Sequence, residues 1–468
     1  MRAVENEFAG ARLGDARLGR RLESIGVRVA TEPGASFPGA MRSDGELEAF
    51  YRFVNNDRVE FDDILAPHKR ATHERALASQ DVAVVHDTTT FAFDAETTAG
   101  LGHLTSKKRG FFGHFALAVD GHGATLGVAD AVTWVRKTLR KRKGKLSGSQ
   151  YARLPDRESS RWATVVDRVD RSFGRSVVHI MDREGDSYVL LAGMIAKEQR
   201  VVVRLRQQYG RRATTVPAGD ARTLGEVVAG GRLVFERHVP LSRRRTNPAL
   251  TATHPAREAR LATLHIDVTR GQLARPRYVD QALPKQIDVN VVRVYEVDAP
   301  VGEEPIEWWL ATTEPIETRT QVERVVDWYR LRWRIEEYFK ALKTGCAFEK
   351  RKLETLEGLR RALAILIPIA WHLLSLRDAT RATPDAPATM IFSERQLNLL
   401  RAMSKRPLPA SPTVEEALYA LAGQGGHLLR NGAPGWQTIG GGLEALWWAE
   451  FGYLIAQNER RPRRRAEM

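Results

Sequence analysis

Residues 81–93, "DVAVVHDTTTFAF", decide how the chain is read. The run is apolar and β-branched, which predicts a buried strand rather than a helix. Inside it stands Asp87, a charge out of place in a strand core. "SVVHIM" (176–181) repeats the pattern and runs straight into "DREGD", which begins with Asp182. Between them, "FALAVDGHGATLGVADAVTWV" (115–135) holds two strand-like runs around a Gly-rich turn, a hairpin signal. "ESSRWATVVDRVDRSF" (158–173) carries helical periodicity, as does "SYVLLAGMIAKEQ" (187–199), and "RVVVRLR" (200–206) is again a strand. The order strand, hairpin, helix, strand, helix, strand predicts an α/β layer built on one mixed sheet.

On the N-terminal side, residues 1–70 read as a helical domain. Leu18, Leu22, Ile25 and Val29 recur at helical spacing with arginines on the other faces. On the C-terminal side, about 206–306 changes character: short alternating runs such as "LHIDV" and "QIDVNVVRVYEV" alternate with Pro-, Gly- and Arg-rich loops. This reads as a β-rich insertion rather than a continuation of the α/β core. "EWWLATTEP" (307–315) returns the chain to that core, which spans 71–375, and long helices follow from about 319 to 377. Residues 376–468 read as a separate helical module containing a Gly-rich segment.

The 468 residues carry a net charge of +15, and 43% are hydrophobic, so the chain has material for a core and a bias toward densely anionic partners. Nucleic acid fits that bias better than a membrane. "MRAVENEFAG" lacks the basic-then-apolar pattern of a signal peptide, and the apolar run "ALAILIPIAWHLLSL" (362–376) is short and interrupted by Pro368 and His372. The single cysteine, Cys346, rules out an intramolecular disulfide or a Cys-cluster zinc site and suits a reducing cytoplasm. Basic runs at 136–150, 237–247 and 459–465 each read equally well as solvated loops; their number is what favours nucleic acid.

One further segment, "DWYRLRWRIEEYFKALKTG" (327–345), gathers chemistry. On a continuous helix, Tyr329, Arg332, Glu336, Lys340 and Lys343 fall within roughly 80° of arc, beside a core face of Trp328, Leu331, Ile335, Phe339 and Leu342. A lone carboxylate among cations is ordinarily a surface salt bridge. Asp87 and Asp182 shift the balance, because acids at strand ends of an α/β sheet can converge. Three carboxylates without a Cys or His cluster suit hard cations, Mg²⁺ or Mn²⁺; two such ions would promote in-line phosphodiester attack, with the cationic stripe and Tyr329 holding phosphates.

The spacing Tyr329, Arg332, Glu336, Lys343 resembles the signature of the DDE transposases of the IS-four group. "LGDARLGRRL" and "EAFYRFVNN" resemble that family's N-terminal DNA-binding helices, "HDTT" and "DREGD" its aspartate motifs, and "RESSRW" and "WLATTEP" further family positions. The resemblance implies an RNase H-like fold with Asp87, Asp182 and Glu336 as catalytic, metal-binding triad, holding two Mg²⁺ ions per site, with Mn²⁺ substituting. It implies that Tyr329, Arg332 and Lys343, with Lys340 beside them, contact phosphates of the transposon end. Arg204 matches an arginine reaching DNA near the site, Trp308 an aromatic that stacks a flipped base (its neighbour Trp309 being one residue away), and Arg17 and Arg21 positions of end recognition. His86 and Glu184 read as local structure. The implied partners are double-stranded DNA, as inverted-repeat ends and as target, and a second copy in a homodimer built through the C-terminal module; the implied setting is the bacterial cytoplasm and nucleoid. "QTIGGGLEAL" departs from the family pattern in that module. The rival expectations are a catalytically silent DNA-binding remnant or inhibitor, and a structure-specific nuclease of the same fold.

Overall fold

The computed structural model describes residues 4, 6–136, 158–174, 177–207, 210–216, 219, 222–241, 243 and 257–460. The basic residues at 137–150, 244–247 and 461–465, and Arg157 of "RESSRW", lie outside the described residues. The chain folds as two compact units, one made of 1–81, 88–140 and 334–468, the other of 82–87 and 141–333.

The first unit opens with helices α1 (Ala16–Thr31), α2 (Phe37–Ala40), α3 (Asp44–Val54) and α4 (Phe61–Leu77). Asp15 caps α1 by accepting from the Arg17 N–H, and Leu22, Ile25 and Val29 are its buried face. Leu18, read with them from periodicity, is only partly covered. The Arg28 guanidinium grips Glu46 at 2.7 and 3.1 Å, fastening α1 to α3. Strand β1 (Val82–Phe93) contributes its second half here, next to the meander β2 (Gly102–His103), β3 (Arg109–Asp120) and β4 (Thr125–Trp134). Gly110 has to be glycine: φ is +155°, and a Cβ there would lie 1.9 Å from the Phe91 carbonyl oxygen.

Helices α9 (Trp333–Lys340, of which 334–340 fall here) and α10 (Leu356–Ala382) follow, then α11 (Glu394–Met403), α12 (Val414–Gln424) and α13 (Trp436–Arg460). Among the described residues α10 alone is long and apolar enough to cross a membrane, and 83% of its apolar window is buried inside the protein. It packs on α1, α3, α4 and β4. Buried Arg361 donates to the carbonyls of Val59 and Val54, and the Trp371 indole to that of Thr125. The Gly-rich segment ends inside a helix. Gly440, Gly441 and Gly442 lie inside α13, and a Cβ on Gly442 would sit 2.1 Å from the Leu421 carbonyl oxygen of α12, so glycine permits that crossing.

In the second unit the strand order is β1, β5 (Val178–Met181), β6 (Arg200–Arg204), β11 (Glu307–Thr312), β10 (Gln286–Val297), β9 (Arg260–Ala274) and β7 (Ala213–Thr215), with β8 (Arg232–Leu241) also on β9. β1, β5 and β6 run parallel, as βαβ crossovers through α5 (Glu158–Phe173) and α6 (Tyr188–Ala196) require; the rest pair antiparallel. A short helix, α7 (Leu224–Ala229), starts from a Thr223–Glu226 capping box. The strands between 206 and 306 differ from the sequence expectation in one respect. β10 pairs with β11 along six residues, so they extend the core sheet instead of standing apart from it. Helix α8 (Arg319–Arg330) packs on β5, β6, β8 and β10.

Candidate active site

The site lies where the parallel pairing of β1, β5 and β6 ends. β1 and β5 are paired up to His86 with Met181, and β5 and β6 up to Met181 with Val203. The next residue on each strand is therefore Asp87, Asp182 and Arg204, a row at the inter-strand spacing of about 4.8 Å. Partners in register share a face, so the row points to one side, while His86 and Met181 point to the other. Asp182 remains extended (φ −83°, ψ −175°) and caps the 3₁₀ turn Arg183–Gly185, its Oδ1 accepting the Arg183 N–H at 2.6 Å.

Helix α8 and the residues after it cover that side. The Tyr329 hydroxyl lies 3.4 Å from Asp182 Oδ1, and the Arg332 guanidinium 3.6 Å from Asp182 Oδ2. Both covering side chains are buried, Tyr329 at 3% and Arg332 at 7% exposure. Arg204 donates to the Glu307 carbonyl at 3.1 Å and also reaches the Tyr329 hydroxyl. Burial, reinforced by the Asp182 carboxylate, pushes the Tyr329 hydroxyl up to about 12, so it remains a proton donor at neutral pH.

The two adjacent tryptophans of β11 face opposite ways. Trp309 is 1% exposed, sits in the core cluster, and gives its indole N–H to Glu307 at 2.9 Å. Trp308 faces the other way, half-buried, with its ring edge-on to Tyr329 at 5.2 Å. Of the two, Trp308 is the one that lies with Tyr329.

The remaining expected residues fall in the first unit. The 327–345 segment is not one helix: α8 ends at Arg330, α9 starts at Trp333 and ends at Lys340, and residues 341–345 form a π turn. The single stripe drawn on a continuous wheel is therefore broken, and two of its members, Tyr329 and Arg332, are buried instead of lining a surface. Of its expected core face, Leu331 is only partly covered. Glu336 lies in the first turn of α9, one helical turn beyond Arg332 in the chain, and is half-buried. Lys340 is exposed. Lys343 donates to the Thr90 carbonyl at 2.7 Å and lies 5.4 Å from the Phe91 ring; burial lowers its ammonium below the usual lysine range. Arg17 is largely exposed and paired to Asp15, and Arg21 is exposed on the same helix. Among the described residues no group of three or more His, Cys, Asp or Glu side chains is arranged to hold a metal ion. What the second unit supplies is a pair of adjacent carboxylates, oxygen donors of the kind that hard divalent cations take.

Residues 1–59 match the family model described as transposase DNA-binding, and residues 157–371 match that of the transposase DDE domain. Together these matches support a DDE transposase. A DDE domain implies an RNase H-like fold and an enzyme that cleaves DNA and transfers strands, and such domains generally use divalent metal ions. The DNA-binding match supports DNA as a partner. It spans Arg17 and Arg21, and the DDE match spans Asp182, Arg204, Trp308, Tyr329, Arg332, Glu336, Lys340 and Lys343.

Proposed function

We propose that this DDE transposase works by cut and paste, as in the IS-four group: it binds terminal inverted repeats, cleaves the DNA ends through a hairpin intermediate, and joins the 3′ ends to target DNA. The observation that supports this most is the row Asp87, Asp182, Arg204 where the parallel pairing of β1, β5 and β6 ends, with Tyr329, Arg332 and Trp308 gathered over it. Asp87 and Asp182, with Glu336, would hold the metal, two Mg²⁺ ions or Mn²⁺ in their place. When bound, such ions activate a water or 3′-hydroxyl and stabilise a leaving oxygen.

The protein's own groups do the rest. Arg332 and Arg204 present guanidinium donors suited to phosphate oxygens. Tyr329, kept protonated, donates a hydrogen bond and orients Asp182. Trp308 offers a face to an unstacked base, as hairpin formation at a DNA end requires. Lys340, Lys343, Arg17 and Arg21 would add further phosphate contacts along the end DNA. In the domain division proposed here, 1–70 reads the ends, 71–375 carries the chemistry, and 376–468 joins two copies into a homodimer in the cytoplasm, on the nucleoid.

The test is to incubate the protein with a duplex bearing the element's end sequence and Mg²⁺. Cleavage, hairpins and strand-transfer products support the proposal. Binding without cleavage in Mg²⁺ or Mn²⁺ would identify a silent DNA-binding protein. Cleavage indifferent to the end sequence would identify a nuclease.

A further inference from the structure

Two histidines with no place in this chemistry sit next to the aspartates, fully buried in apolar strands: His86 on β1 and His179 on β5. His86 Nε2 lies 2.8 Å from His179 Nδ1, and His179 Nε2 lies 3.1 Å from Asp170 Oδ1 on α5. The second Asp170 oxygen accepts from the Gln199 amide at 2.9 Å, at the entry to β6. Trp162, also on α5, stacks over the His86 ring at 6.3 Å with 28° between planes. The carboxylate at one end sets the polarity of the chain. Asp170 can only accept, so His179 carries its proton on Nε2 and offers Nδ1, and His86 donates from Nε2.

We propose that His86, His179 and Asp170 are positioning residues that lock β1 against β5 in the one register that brings Asp87 beside Asp182. His86 with Met181 is the last aligned pair before the two aspartates. Apolar side chains would fill this layer as well, yet they would tolerate a slip. A slip of one residue here would unpair two buried imidazoles and turn Asp87 to the opposite face. The imidazole chain therefore acts on the metal-binding pair from the far side of the sheet without touching DNA or metal. This rests on the proposed metal-dependent function.

The test compares full-length wild type with His179→Leu, which removes both bonds at similar volume, and His179→Gln, which keeps one donor and one acceptor. Mn²⁺ binding is followed by electron paramagnetic resonance without DNA, alongside the Mg²⁺ half-saturation for end cleavage and metal-free end binding by gel shift. His179→Leu should weaken Mn²⁺ binding and raise the Mg²⁺ midpoint by about tenfold, as removal of a group that orients metal ligands does. His179→Gln should restore most of both, and metal-free end binding should be unchanged. A merely structural role would lower the melting temperature and end binding while leaving the metal midpoints in place. If His179→Leu does not fold, Gln199→Leu, one bond further out, carries the test with a smaller shift in the same direction. A folded variant with wild-type metal midpoints overturns the inference. If wild type binds Mn²⁺ but cleaves no end DNA in either metal, it is the proposed function that falls, and the Mn²⁺ titration still decides the positioning role.

Discussion

Adjacent tryptophans on β11 should behave as different residues. Trp309 is 1% exposed within the core cluster of the second unit. Truncating it to alanine leaves a large cavity and frees Glu307 of an indole donor, for about 3–5 kcal/mol. Trp308 is half-buried, and the structure gives it one ring partner, Tyr329, edge-on at 5.2 Å. Losing that pair costs about 0.5–1.5 kcal/mol. With a urea slope of about 2 kcal/mol per molar, Trp309→Ala should lower the unfolding midpoint by about 2 M and Trp308→Ala by about 0.5 M, read by circular dichroism. Function should divide the other way. If Trp308 stacks an unpaired base, worth about 1–3 kcal/mol, Trp308→Ala should slow hairpin formation roughly 5- to 150-fold while first-strand nicking persists. Equal destabilisation by the two variants, or a well-folded Trp309→Ala that forms no hairpins beside an active Trp308→Ala, would refute the assignment of faces.

Other expectations follow from the same geometry. Arg332→Ala should lower affinity for end DNA and reduce the slope of log affinity against log salt by about 1, as loss of one phosphate contact does; an unchanged slope would place Arg332 with Asp182 alone. Tyr329, with its hydroxyl at about 12 in the folded state, contributes stability that is complete below the unfolded value near 10 and is lost as pH rises through 12. Absorbance at 295 nm should show Tyr329, like the buried Tyr338, missing from the tyrosines that ionise between pH 10 and 11 in the folded wild type, and the number missing should fall by one in Tyr329→Phe. His114 is fully buried and accepts or donates to the Thr88 hydroxyl at 3.0 Å, with its imidazole pushed down to about 3. A depressed histidine favours folding above its unfolded value near 6.5, so stability should fall by about 1.4 kcal/mol per pH unit from there toward 3, and His114→Phe should flatten that slope. Gly442→Ala should loosen the α12–α13 crossing, at about 1–3 kcal/mol, and expose 414–460 to limited proteolysis.

Much of this was legible in residue patterns. The β1 and β5 strands announced themselves because each is β-branched and apolar with an acid inside the first run and directly after the second, and register then follows from parallel pairing. The in-line place of Arg204 was visible only through family spacing, since nothing in "RVVVRLR" marks which arginine stands level with Asp182. Three things were hidden. The break at 331–332 has no proline or glycine to signal it, and Arg332 there turns to Asp182, a partner 150 residues away in the chain (332 − 182). The pairing of β10 onto β11 depends on which strand lies beside which, a long-range fact that alternation cannot encode. Nothing in the Gly-rich segment marks which of its glycines belong to a helix, since helix interiors disfavour glycine, yet close contact of α13 with α12 needs them. The His86–His179 tie did leave a trace: one histidine in each of two apolar strands, near each aspartate.

The most direct test of the site is to exchange a carboxylate for a thiolate. Asp182→Cys offers a soft ligand, which Mn²⁺ accepts more readily than Mg²⁺. If Asp182 ligates the catalytic metal, this variant should cleave end DNA in Mn²⁺ and fail in Mg²⁺, while wild type works in both. Equal activity of Asp182→Cys in the two metals would contradict the assignment.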